Sequence, residues 1–432
     1  MVQPPAATPS EPSSQSSSAP SAHPAADPPR GHRRDDRGRE LRYLRGSAVV
    51  GDVVVPDALV VLEGERVVEV RRLETARGAD GSPDEDAVTA AAERVRGTIV
   101  PGCVDLHCHG GGGTAFTDLD AGAAAAAARH QHGRGSTSLL ASLVTLAPDD
   151  LLRGVEVLAD LADDGLVDGI HLEGPWLAEA RCGAHDPALL RDADRSEVAR
   201  LLEAGRGHVR QVTVAPERRH GLELVRWLVE GGVHAAIGHT TATYAQASEA
   251  VAAGAELATH LFNGMDPWHH REPGTVPAAL AAAARGELVV ELVADGTHLA
   301  DETVAAVVQL VGVGRVAFVS DAMAAAGVGD GRYVLGGLDV VVDGGVARLA
   351  AGPDGAPGAI AGGTGHVAEL VARAVSHGLT LPDAVACGSR TPAALLGLPD
   401  RGTLAQGSRA DLLVLDDDHR VTRVMRRGRW LG

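Results

Sequence analysis

Apolar runs recur through the middle of the chain, and each one stops at a polar corner of small residues. Eight stand out: VDLHC (104–108), STSLLASLVT (136–145), VDGIHLE (167–173), VRQVTVA (209–215), VHAAIGH (233–239), AELATHLF (255–262), ELVVELVADG (287–296) and RVAFVSD (315–321). Short, nearly continuous apolar runs predict strands buried on both faces, as in a parallel sheet. Between them, Ala-rich segments such as AGAAAAAARHQHG and YAQASEAVAAG predict helices. Strand and helix therefore alternate, which predicts an α/β fold with a (β/α)8 TIM-type barrel over 100–397. Residues 333–362 are strand-like and interrupt the last strand-to-helix connection.

The two ends follow another pattern. SAVVGDVVVPDALVVLEG and RVVEVRRL within 41–99, and GTLAQGSRADLLVLDDDHRVTRVMRRGRW within 398–432, are short strand runs broken by Gly and Pro. They predict one small β-sandwich domain assembled from both ends of the chain. An acidic, Gly/Ala-rich stretch at about 74–95 predicts a surface loop. Residues 1–40 have no apolar periodicity and predict a disordered tail, a misplaced start being the equal alternative.

Composition narrows the function classes. The net charge of −18 argues against nucleic acid or an anionic membrane as partner. No apolar run is long enough to span a bilayer, and the N-terminus has no apolar signal core. Cys103, Cys108, Cys182 and Cys387 form no CxxC pair, which suits reduced thiols in a cytoplasm. The chain has no lysine, so Schiff-base chemistry, a P-loop and a carboxylated lysine between two metals are excluded. No GxSxG occurs, and no cysteine sits in an activating setting.

What remains is a set of polar residues at the ends of the apolar runs. His107 and His109 are two apart, so on a strand both project to one face and can chelate an ion; two core histidines are the alternative. Asp105 suits orienting the loop, and Gly110–Gly113 suits making room at the rim. Glu173 is the one residue suited to bridge two ions, with His171 beside it as a supporting group. His239 and His260 end the next suitable strands, and each alone reads equally as a hydrogen-bonded core histidine. Jointly, Glu173, His239 and His260 form an open three-ligand site with room for water. Asp321 can move a proton to and from such a water, or cap a following helix. His185 and His298 lie in polar loops and could polarise a carbonyl or bind substrate hydroxyls. Arg271 offers a fork suited to phosphate, or is a solvated loop residue. His130, His132, His269 and His270 read as surface residues.

The series HLEGPW, GAHDP, TVAPE, GHTTATY, THLFNGM, REPG, ADGTH and SDA, in this order over about 42–430, resembles the amidohydrolase superfamily and, within it, the N-acetylglucosamine-6-phosphate deacetylases. The resemblance implies hydrolysis of the acetamide of a phosphorylated N-acetyl amino sugar, giving glucosamine 6-phosphate and acetate. It implies Glu173, His239 and His260 as ligands of the principal metal and Asp321 as general base, then acid. Substrate contacts are implied for Ala184, His185, Asn263, Gly264, Arg271, Asp295, Gly296, Thr297, His298, Ile360, Ala361 and Gly362. Arg271 would reach the phosphate in a neighbouring subunit's site, implying a homodimer. Family members differ at the first motif; His107 and His109 are both present here, so one or two ions fit, as Zn2+, Fe2+, Mn2+ or Co2+. Gly264 stands where alanine is more usual. The other readings are an N-acetylgalactosamine-6-phosphate deacetylase, a deaminase, or a non-catalytic sugar-phosphate sensor.

Overall fold

The computed structural model describes residues 31–34, 40–73, 89–351 and 356–432. Eight short strands form the central sheet: Cys103–Cys108 (β1), Ser136–Leu143 (β2), Gly169–Glu173 (β3), Val209–Val214 (β4), His234–Ile237 (β5), Leu257–Ala258 (β6), Val289–Leu292 (β7) and Val316–Phe318 (β8). Each falls on one of the eight predicted runs, β1 starting one residue earlier at Cys103. They pair in parallel, and neighbours in sequence are neighbours in space. The ring closes just past β8, where Asp321 N donates to His107 O at 2.9 Å and Ala322 bridges Cys108.

A helix follows each strand, from Ala121–Gly133 after β1 to Val367–Ser376 after β8. Local sequence starts several of them. Asp120 accepts from Ala123 N, and Thr243 with Gln246 forms a reciprocal capping box, each cap contributing about 1 kcal/mol. The apolar positions of strands and helices meet in two large buried clusters, one around Leu158, Ile170 and Leu224 and another around Val290, Phe318 and Leu370. Val104, Leu106, Leu140, Ala236, Val289 and Val319 pack together with Ala393 of the last helix, Arg390–Leu395, and Leu396 just past it. That apolar packing leaves the polar strand ends gathered at one rim.

The last strand-to-helix connection carries an antiparallel three-stranded sheet, Gly331–Leu335, Leu338–Asp343 and Val346–Leu349, inside the stretch predicted to be strand-like. The two chain ends meet where Glu93–Pro101 pairs with Leu412–Leu415. The expected sandwich is one continuous eight-stranded sheet curled on itself, its edge strand returning through an Arg66–Arg409 bridge. Leu44, Val60, Ile99, Leu412 and Met425 are buried inside it.

Most of the expected disordered tail, 1–30 and 35–39, lies outside the described residues. His32–Arg34, however, pairs antiparallel with Glu40–Arg42, so the ladder begins before residue 41. An edge strand needs only backbone partners, which is why its polar sequence hid it. Of the expected surface loop, 74–88 lies outside the described residues, and Glu93 already begins a strand. Among the described residues no helix is long and apolar enough to cross a membrane. The four cysteines are unpaired, and burial pushes their thiols up, Cys103 to about 12.

Candidate active site

The strand ends deliver two ligand groups to one point. In the first, Glu173 Oε1 lies 3.0 Å from His239 Nε2 and 2.9 Å from His260 Nε2, and the two nitrogens are 3.0 Å apart. In the second, His107 Nε2 and His109 Nε2 are 2.9 Å apart, and Glu173 Oε2 is 3.4 Å and 3.1 Å from them. Glu173 thus turns one oxygen toward each group. Asp321 Oδ1 faces the second group at 3.4 Å from His107 and 3.3 Å from His109. All six side chains are buried.

Backbone strain marks the same positions. His239, His260 and Asp321 have φ of 46°, 27° and 49°, a region L-residues rarely occupy. No helix starts at Asp321, so the capping alternative falls. Gly264 has φ +61°, and a Cβ there would sit 2.8 Å from His239 Nδ1, so glycine is the residue that fits.

The residues fit a divalent cation. His239 Nδ1–H donates to Arg181 O at 2.7 Å, leaving the Nε2 lone pair turned inward. His109 Nδ1 and His260 Nδ1 have no partner, so nothing forces their protons onto Nε2. Burial pulls the Glu173 and Asp321 carboxyls up, but the charge of His107 and hydrogen bonds from the histidines outweigh it and hold both well below the usual range. The same carboxylates drive His107 well above its ordinary value against its burial. A buried site that draws positive charge to itself, with imidazole and carboxylate donors converging, suits a divalent ion.

His109, Glu173, His239, His260 and Asp321 floor a cavity of about 240 Å³, with His107 beneath them outside the lining. Ala184, His185, Asn263, Gly264, His298, Ile360 and Gly362 line it. His185 Nδ1 accepts from Thr145 N at 3.2 Å, so its proton sits on Nε2, which faces Glu173; burial pushes it down to about 4. Asp295 binds His298 Nδ1 at 2.8 Å and its backbone N–H at 2.8 Å, leaving Nε2 3.8 Å from Asp321 Oδ2.

Other expected contacts fall outside the lining. Asp295 orients His298 instead of facing the cavity, Gly296 and Thr297 are exposed, and Ala361 is buried in the small cluster behind the wall. Arg271 is exposed on the loop after Asp266 and touches His270. His269 and His270 are exposed, but His130 is half-buried against His366, and His132 is buried with both ring nitrogens on the carbonyls of Ser136 and Leu166. Two apart on one helix, His130 and His132 point to different sides and are covered by different neighbours, which an Ala-rich pattern does not reveal. His171 is held between Ser142 and Thr213 hydroxyls, a support and not a ligand.

Gly183, Val144, Leu335 and Ala359 also line the cavity and went unseen in the sequence. Leu335 comes from the inserted sheet, whose alternating pattern carried no mark of its destination. Glu291 and Gln211 were missed as well. The signal was available: each is a polar residue in the middle of a buried strand.

An eight-stranded barrel with a His/carboxylate centre at the strand ends defines a class, the barrel hydrolases built around a divalent ion. The chain belongs to the amidohydrolase family, whose pattern matches residues 98–431. The N-acetylgalactosamine-6-phosphate deacetylase of Escherichia coli O157:H7 is 32% identical over 379 residues, covering 84% of this chain and 98% of its own. The N-acetylglucosamine-6-phosphate deacetylase of Bacillus subtilis is 32% identical over 371 residues, covering 80% and 87%. A solved variant of N-acetyl-D-glucosamine-6-phosphate deacetylase from Mycobacterium smegmatis, in complex with N-acetyl-D-glucosamine-6-phosphate, matches with a TM-score of 0.82 and 44% identity over 90% of this chain and 99% of that one.

Proposed function

We propose that this protein hydrolyses the acetamide of N-acetyl-D-glucosamine 6-phosphate to D-glucosamine 6-phosphate and acetate. The observation that carries the reading is the convergence of Glu173, His239 and His260 beside Asp321 on the floor of a cavity sized for a sugar. Glu173, His239 and His260 would hold the principal ion, Zn2+ being the metal best suited to this donor set, and His107 and His109 with Glu173 a second. Such an ion lowers the pKa of bound water toward ~7 and polarises a carbonyl.

The side chains supply the rest. Asp321 is ionised and placed to take the proton of the attacking water. An amide nitrogen cannot leave as an anion, so Asp321 then returns that proton to it. His185, with its proton fixed on Nε2, donates toward the acetyl oxygen as charge builds there. His298, held by Asp295, stands on the other side of Asp321 to bind a hydroxyl. Among the described residues no arginine lines the cavity, which leaves the phosphate to the exposed loop bearing Arg271, reaching into a partner's site in a homodimer. Mixed dimers of Arg271→Ala and Asp321→Asn chains would regain activity under that arrangement and stay inactive if each chain served itself. Four unpaired cysteines suit a reducing compartment, and the cytoplasm is the location this reading expects.

The test is turnover on three substrates, N-acetylglucosamine 6-phosphate, its galactosamine epimer and unphosphorylated N-acetylglucosamine, with acetate release as readout. The first should be used best, following the 44% identity to the Mycobacterium smegmatis protein against 32% to the Escherichia coli one. Preference for the galactosamine epimer would move the assignment to that deacetylase, and no acetate from any of the three would leave a sensor or another amidohydrolase.

A further inference from the structure

We infer that Glu291 is a positioning residue which sets the tautomer of His107 and ties the second ligand group to the first. The inference rests on the metal site of the proposed function and adds a residue that belongs to neither ligand group. Glu291 lies on β7 and is completely buried. A carboxylate removed from water persists only where donors satisfy it. Oε1 accepts from Gln211 Nε2 at 2.6 Å, and Oε2 accepts from His260 N at 3.2 Å and lies 3.4 Å from His107 Nδ1.

One oxygen therefore serves both groups. It requires the His107 proton on Nδ1, which leaves the Nε2 lone pair facing His109, Glu173 and Asp321. It also anchors the backbone of His260, whose φ of 27° needs an outside restraint. Gln211 keeps the carboxylate from rotating by occupying the opposite oxygen. A glutamine at 291 that still accepted from Gln211 would turn its NH2 group toward His107 Nδ1. His107 would then accept at Nδ1 and carry its proton on Nε2, the atom needed for the ion.

The experiment is a Zn2+ titration of the chelator-stripped full chain against a competing chelator, for the parent, Glu291→Gln, His107→Ala and the double variant. The parent should take two ions. Glu291→Gln should weaken the second by ~10–100-fold and the first far less, through the lost His260 backbone contact alone, and its loss at the second should not add to that of His107→Ala. A merely structural role would weaken both ions equally and add to His107→Ala. Unchanged affinity in Glu291→Gln, equal loss of both ions, or a parent that takes only one ion would each overturn the inference. If circular dichroism shows Glu291→Gln unfolded, Gln211→Met carries the test, since it frees Oε1 and leaves the charge. It should weaken the second ion alone, and no effect there overturns the inference. Turnover is not read, so a failed sugar-phosphate assay would remove the substrate assignment and leave this result standing.

Discussion

The barrel and the curled terminal sheet are both made of short apolar strands, yet their interiors differ. Inside the terminal sheet, Leu44, Val60, Ile99, Leu412, Val414 and Met425 form one apolar cluster. Inside the barrel, Ser142, His171, Glu173, Gln211, Thr213 and Glu291 are just as buried and polar, and each is hydrogen-bonded. A buried polar network is costly unless every member is satisfied. In the barrel that network runs through the strand interiors. The terminal domain's buried Arg409–Asp411 pair lies instead at the seam, with Arg409 also bonded to Thr137 O and Ser138 Oγ of β2. The part that does chemistry is thus set apart from the part that supplies stability.

The sharpest break of that contrast is Glu173→Ala, which removes the one carboxylate shared by both ligand groups. We expect loss of all bound metal and all turnover, checked by elemental analysis; a fully metallated variant would overturn the ligand assignment. His107→Ala should lose at most one ion. Next is Asp321→Asn, which keeps shape and loses the proton shuttle. Turnover should fall ~10²–10⁴-fold with metal content retained, and near-normal turnover would move the role to His185 or His298.

Arg271→Ala should follow. Losing a desolvated charged partner costs ~2–5 kcal/mol, felt on the phosphorylated substrate only. Equal impairment of N-acetylglucosamine and its 6-phosphate would refute a phosphate role. The other side of the contrast is probed by Leu412→Ala. Truncating a fully buried leucine should cost ~2–5 kcal/mol of stability, read by denaturant melts, while turnover per folded molecule stays unchanged.

The smallest effect is a matter of pH. Burial lowers His298, but the bond and charge of Asp295, with the charge of Asp321, raise it above its ordinary 6.5. A raised histidine contributes stability that is complete below 6.5 and is lost as pH rises through the folded value. Asp295→Asn removes the main support, so that contribution shrinks and the alkaline limb of the rate profile moves to lower pH. An unmoved limb would show that His298 does not govern it.

The strand runs, their order and the polar residues at their ends were written in the chain itself. Apolar continuity followed by Glu173, His239, His260 or Asp321 is a local pattern, because a buried strand admits a charge only where it stops. The destinations of residues set by distant partners were not local. Glu291 meets His107 across 184 positions of sequence, and Asp105 holds Ser320 across 215. Whether His132 faces inward, whether Asp295 faces the cavity or His298, and whether Leu335 of an inserted sheet closes the wall depend on which elements pack together. Periodicity tells a residue which face of its own element it occupies; only the closed barrel decides what that face meets.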